Sequence, residues 1–174
     1  LYKVSSVGVK TLIGTISGTR RCVMSNNGFV MVICNGSVPY SYDGATLTSL
    51  TGITFNPKIV DYLNNQFIFD GDDNLYTISN VGTTTIDAAN SAAAESAPDD
   101  LVLPKVFNQI LYNYGTATIE PSDNTGVGSP PFERMDGGII ESVGIQSPYG
   151  VCNTSDAMYF IGTDGIAYRV ISFQ

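Results

Sequence analysis

Histidine and tryptophan are both absent from this chain of 174 residues. Without histidine it lacks the commonest general base and the commonest transition-metal ligand, so most acid–base and zinc chemistry is excluded. Cations are scarce: 8 Lys+Arg stand against 16 Asp+Glu, for a net charge of −8. Nucleic-acid readers gather their basic residues into patches, and here only Arg20 and Arg21 adjoin in sequence, which argues against a phosphate-reading surface. Cysteine is limited to Cys22, Cys34 and Cys152. These show no CxxC spacing, and an odd count cannot close completely into internal bridges, so buried free thiols are expected. No run approaches the roughly 20 apolar residues of a membrane-spanning helix, and a soluble chain is expected. No signal-peptide pattern opens the sequence. It starts Leu1-Tyr-Lys-Val-Ser and stops in or just after a strand at Ile171-Ser-Phe-Gln174, which reads as an internal piece of a longer protein.

Strand sequence is abundant. Four times an aromatic or β-branched run is followed by a Gly/Asp/Asn turn and a second such run: residues 29–34 with 38–42, 67–69 with 75–78, 110–114 with 116–119, and 158–161 with 166–170. Each pair predicts a β-hairpin. With Phe29, Phe67, Ile110 and Tyr159 taken as equivalent, the unit recurs every roughly 40 to 50 residues, the period of β-propeller blades. The expected fold is all-β: a propeller-like array of antiparallel blades in one domain, or part of one, over residues 1–174. About four blades would form an open arc, a partial ring. Ahead of the first hairpin, residues 1–9, 11–16 and 21–24 predict short outer strands. The string Cys34-Asn-Gly-Ser37 predicts a type I′ turn. Residues 82–100 are alanine-rich without an apolar stripe, and are expected to be a connector between blades. Residues 122–134, dense in Gly, Pro and Ser, are expected to form an exposed contact loop.

The chemical motifs are weak. Asp70, Asp72 and Asn74 match the opening of an EF-hand loop, but Leu75 replaces the turn glycine and Val81 replaces the bidentate glutamate. A plain turn without metal is expected. Glu120, Glu133 and Glu141 offer carboxylates for a glycosidase pair, although solvated loop charges are the simpler expectation. No nucleophile elbow occurs, and Gly126-Val-Gly128 runs into Ser129-Pro-Pro131, where a dinucleotide loop would start a helix. The glycosylation-like strings at Asn35 and Asn153 read as turn residues. No catalytic residue, cofactor or metal is therefore assigned. Phe132, Arg134 and Tyr149 are the candidate subunit-interface residues, because aromatic and Arg side chains anchor interfaces.

The second half carries a more specific signal. The strings Glu95-Ser-Ala-Pro-Asp-Asp-Leu-Val102, Gln109-Ile-Leu-Tyr-Asn-Tyr-Gly115, Thr118-Ile-Glu120, Asn124-Thr-Gly126, Pro131-Phe-Glu-Arg134, Gly137-Gly-Ile-Ile-Glu141 and Met158-Tyr-Phe-Ile-Gly-Thr-Asp-Gly165 resemble the packaged-DNA stabilisation proteins of short-tailed bacteriophages. These are the tail accessory factors, or tail hub proteins. Phe160 stands where the family often has tryptophan, and the chain is shorter than a whole member. The resemblance implies a non-enzymatic virion structural protein with a propeller-like body, assembled in the host cytoplasm. It further implies a homo-oligomeric ring, six copies, at the portal vertex of the phage tail. The implied partners are a portal-proximal adaptor protein and a tail needle or distal tail protein, with genomic DNA passing without sequence-specific binding and no membrane. An acidic surface along such a channel would repel the DNA backbone. Two readings stay open beside it: a glycan-binding or glycan-cleaving propeller, and a generic protein-interaction propeller.

Overall fold

The computed structural model describes residues 1–71, 74–94 and 99–171. Among them the regular elements are strands. A two-stranded hairpin, β1 (Tyr2–Val4) with β2 (Lys10–Leu12), stands apart from four antiparallel meanders. Blade 1 is β3 (Val23–Asn26), β4 (Met31–Cys34), β5 (Tyr40–Tyr42) and β6 (Leu47–Ser49). Blade 2 is β7 (Val60–Leu63), β8 (Gln66–Asp70), β9 (Leu75–Ser79) and β10 (Ile86–Ala93). Blade 3 is β11 (Leu101–Phe107), β12 (Ile110–Gly115), β13 (Ile119–Asn124) and β14 (Phe132–Arg134). Blade 4 is β15 (Val151–Asn153), β16 (Met158–Ile161) and β17 (Ala167–Val170). The anticipated hairpins at 29–42, 67–78 and 158–170 are present, as the middle pair of blades 1 and 2 and the last pair of blade 4, while in blade 3 the partner of β12 is not 116–119 but Ile119–Asn124.

The blades stack face to face, so the second strands of blades 1 to 3 are buried on both sides. That is why β8 and β12 read as unbroken apolar runs instead of alternating. Val32 and Cys34 of blade 1 meet Phe67 and Phe69 of blade 2. Ile68 and Ile78 on the opposite face of blade 2 meet Leu111 and Phe132 of blade 3. Tyr114 of blade 3 then meets blade 4, with its ring edge-on to Phe160 at 5.4 Å between centroids and its hydroxyl on Met158 Sδ at 3.6 Å. Beyond that the stack stops: Tyr159 is 38% and Ile161 52% exposed on the far face of β16. The first strands β3, β7 and β11 lie side by side and, with Val151 of β15, border one cavity at the propeller axis.

Several expectations change. The strand beginning at Val23 is the innermost strand of blade 1, not an outer one, because it lies against β7. Residues 82–100 are not a plain connector: β10 pairs with β9 and completes blade 2, its small side chains letting Ala92 pack beneath blade 3. Thr116 to Thr118 form a turn held by Asp99, whose carboxylate accepts from Ala117 N (2.7 Å), Thr118 N (3.0 Å) and Thr118 Oγ1 (3.0 Å). Phe29 is 87% exposed in the β3–β4 turn, so it is not a blade position. The type I′ geometry expected at Asn35-Gly36 occurs instead at Asn64-Asn65 (φ 48° and 64°) and Asn108-Gln109 (φ 48° and 66°). These two-residue turns close β7–β8 and β11–β12, where both central residues must take positive φ. Of the thiols, Cys34 is buried, Cys22 half-buried and Cys152 exposed, and all are free.

Candidate functional site

The segment 122–134 is only partly a loop. Its ends are strand, Ser122 pairing with Arg134 and Asn124 with Phe132 across β13–β14. Phe132 is 8% exposed and packs edge-on to Tyr76 at 6.3 Å between centroids. As a subunit-interface residue it is therefore corrected: the apolar ring is already consumed inside one chain, between blades 2 and 3. The connection between the strands folds onto blade 2, where Ser129 Oγ bonds Asn90 and Asn90 Nδ2 donates to Asn80 Oδ1 at 2.7 Å. Between this loop and blade 2 lies a cleft of about 380 Å³ bordered by the amides of Asn64, Gln66, Asn80, Asn90 and Asn124. Arg134 remains exposed at the margin of a second cavity, of about 300 Å³, which also meets Glu120 and Asp136.

Strand geometry separates the three glutamates. Glu120 and Ser122 lie two apart on β13, and Ser122 pairs with Arg134, so all three share one face. Glu133 sits between Phe132 and Arg134 on β14 and points to the other face. Glu120 is 4% exposed, and its charge helps burial push the Tyr76 hydroxyl upward from its ordinary pKa. Glu141 is exposed in the segment after β14. The β13–β14 sheet thus turns Glu120 and Glu133 apart instead of converging them on a sugar.

Asp70 is not poised for a cation. Its Oδ1 turns inward and accepts from Lys58 N at 2.7 Å and Ile59 N at 2.6 Å, fixing the segment that leads into β7. Burial is the main cause that raises its pKa, to about 6. Asp72, the next residue of the calcium pattern, lies outside the described residues.

Tyr149 belongs to the axial mouth. It is 39% exposed, and the Arg21 guanidinium lies over its ring, 4.8 Å from the centroid. Arg21, Cys22, Ile59, Leu103, Lys105 and Tyr149 are among the residues enclosing a cavity of about 230 Å³. Lys105 Nζ is paired with Asp61 Oδ2 at 2.8 Å, and the same oxygen accepts from Val106 N at 3.0 Å, tying β11 to β7. Asn153 Nδ2 donates to Val106 O at 2.8 Å, tying in blade 4. Sequence reasoning missed Lys58 and Lys105, because each lies alone among uncharged neighbours and the fold gathers them from separate blades.

Four successive meanders around a shared axis agree with the family model described as "Bacteriophage P22 Gp10, beta-propeller", which matches residues 1–167. The chain belongs to this family. It is thus a member of the phage DNA-stabilisation proteins, a structural phage family built as β-propellers. No curated protein matches the sequence. Among solved structures, the computationally designed Ika4 protein superposes with a TM-score of 0.59 at 12% identity, over 92% of this chain and 98% of that one. The designed Ika8 protein gives 0.58 at 13% identity, over 95% of this chain and 50% of that one. BamB from Moraxella catarrhalis gives 0.55 at 9% identity, over 85% of this chain and 48% of that one. At such identities the likeness is one of fold.

Proposed function

We propose that this chain is the propeller body, or part of it, of a tail hub that completes the portal–tail channel and retains packaged DNA. The observation that carries the reading is the match of the phage DNA-stabilisation family across residues 1–167. In this reading the protein acts without catalysis as a virion component at the portal vertex. It forms a homo-oligomeric ring, with six copies implied by the family resemblance. A portal-proximal adaptor protein holds it above, and a tail needle or distal tail protein closes it below. The glycan-cleaving alternative needs two convergent carboxylates, and the opposed faces of Glu120 and Glu133 give it no support. A generic interaction propeller would share the fold but not the family match.

The test is retention itself. Particles assembled without the protein should package a full genome and then lose it, read as DNA that becomes nuclease-sensitive after packaging ends. Particles that hold their DNA as well as wild type would remove the sealing role.

A further inference from the structure

The chain carries twice as many acids as bases, 16 Asp+Glu against 8 Lys+Arg, yet four of those bases either border the axial cavity or lie just ahead of the first strands β3 and β7. Arg21 and Lys105 border the axial cavity. Arg20 and Lys58 close over Gly36: a β-carbon built on that glycine would lie 3.0 Å from Arg20 Cδ and 3.5 Å from Lys58 Cγ. Lys105 has its acid in Asp61. Arg20, Arg21 and Lys58 are exposed, and none of them takes part in either ion pair found among the described residues. The carboxylate of Asp70, which accepts from Lys58 N, is 4% exposed and engaged by backbone N–H groups. Exposed cations on neighbouring segments, in a protein with a surplus of acids, leave a local positive surface to which an anion is attracted. Arg21 is already oriented by the Tyr149 ring, which lowers the entropy cost of a planar, bidentate contact.

We propose that Arg20, Arg21 and Lys58 form a phosphate-binding site at the mouth of the propeller axis, and that its ligand is the backbone of double-stranded DNA. The choice of DNA over an acidic protein segment rests on the retention reading above. The contact reads no base, since it consists of exposed cations on loop backbone and no element shaped to enter a groove. It changes the expectation drawn from composition: sequence separation of these residues hid a patch that folding creates.

Fluorescence anisotropy of a labelled duplex with the full chain tests the site directly, independently of any particle. Three phosphate contacts predict a log–log salt slope between about −2 and −3, so affinity should fall roughly 40-fold between about 50 and about 200 mM salt. Each of Arg20→Gln, Arg21→Gln and Lys58→Gln should flatten the slope by about one. The control Lys3→Gln/Lys10→Gln, on the β1–β2 hairpin, should leave it unchanged. The single variants alter exposed side chains, and circular dichroism verifies that each keeps its fold. No salt-dependent duplex binding, or equal loss in the hairpin control, would overturn the proposal. So would binding of a labelled poly-glutamate peptide in place of DNA, which would assign the patch to an acidic protein partner. A negative result here leaves the retention assay standing, so the two ideas fail separately.

Discussion

At the scale of single residues, carboxylates do more to fix this fold than to offer chemistry. Asp61, Asp70 and Asp99 each accept backbone N–H groups at a strand or turn that would otherwise leave donors unpaired. Asp70 makes the sharpest prediction. Its native pKa is raised from 3.8 to about 6, chiefly by burial. Between those values the folded chain holds a proton that the unfolded chain has released. The stabilising contribution is thus complete below about pH 4 and is lost as pH rises through about 6. Asp43 and Asp156 have pKa values lowered, through backbone N–H donation by Thr46 and the Thr154 hydroxyl respectively, and oppose this trend. Comparison with a variant isolates the Asp70 share. Asp70→Asn keeps an oxygen for Lys58 N and Ile59 N, so its stability relative to wild type should climb on the order of 2–3 kcal/mol from pH 4 to pH 7 in urea titrations. A wild-type-to-Asn difference that stays flat across that range would mean the carboxyl ionises normally. Asp70→Ala should instead destabilise at every pH, by about 1–3 kcal/mol for each orphaned donor.

Elements show what the sequence made legible. The second strands of blades 1 to 3 are legible because burial on both faces demands largely apolar or aromatic runs, as in Phe67-Ile-Phe69 and Ile110-Leu-Tyr112, whereas β13 is polar in sequence and starts three residues later than expected. First strands are harder: β3 runs Val-Met-Ser-Asn and β7 Val-Asp-Tyr-Leu, four residues each with polar side chains among the apolar ones, too short and mixed to stand out. β10 was hidden by its alanines, which have weak strand preference but fit the narrow gap under blade 3. Turn chemistry misled at Asn35-Gly36, where a five-residue connection runs from Cys34 to Tyr40 and Gly36 N bonds Pro57 O at 2.9 Å instead of closing a tight hairpin. Of the candidate site, Tyr149 is a partly exposed residue beside the axial cavity, whereas Phe132 reads in sequence as a loop residue because two prolines precede a strand of only three residues. Strand β14 is better described as the clasp between blades 2 and 3. Phe132→Ala should therefore lower the urea midpoint of the isolated chain, with a loss of about 3 kcal/mol from the removed ring and the cavity it leaves. An unchanged midpoint would return Phe132 to the role of a surface anchor.

For the whole molecule, packing is graded along the arc. Blades 2 and 3 are sandwiched on both sides, so Ile68, Phe69, Leu111 and Tyr112 are at most 0% exposed. Blade 4 has one packed face, three strands among the described residues and an uncovered Tyr159–Ile161 surface. The β1–β2 hairpin is exposed at every strand position, with Tyr2 at 61% and Leu12 at 61%. A repeated array in which each unit contacts its neighbours distributes stability by the number of packed faces, so local opening should follow that order. Hydrogen exchange followed by mass spectrometry on the isolated chain should find slowest exchange in β8 and β12. Exchange should be faster by orders of magnitude in β1 and β2, with β16 and β17 between these limits. The open far face of blade 4 is what sets its intermediate place, because its inner face is as well packed as those of its neighbours: Met158 is 0% and Phe160 2% exposed. If β16 exchanged as slowly as β12 in the isolated chain, burial of a single face would suffice for full protection. The argument from face counting would then fail, and stability would have to be shared evenly around the axis.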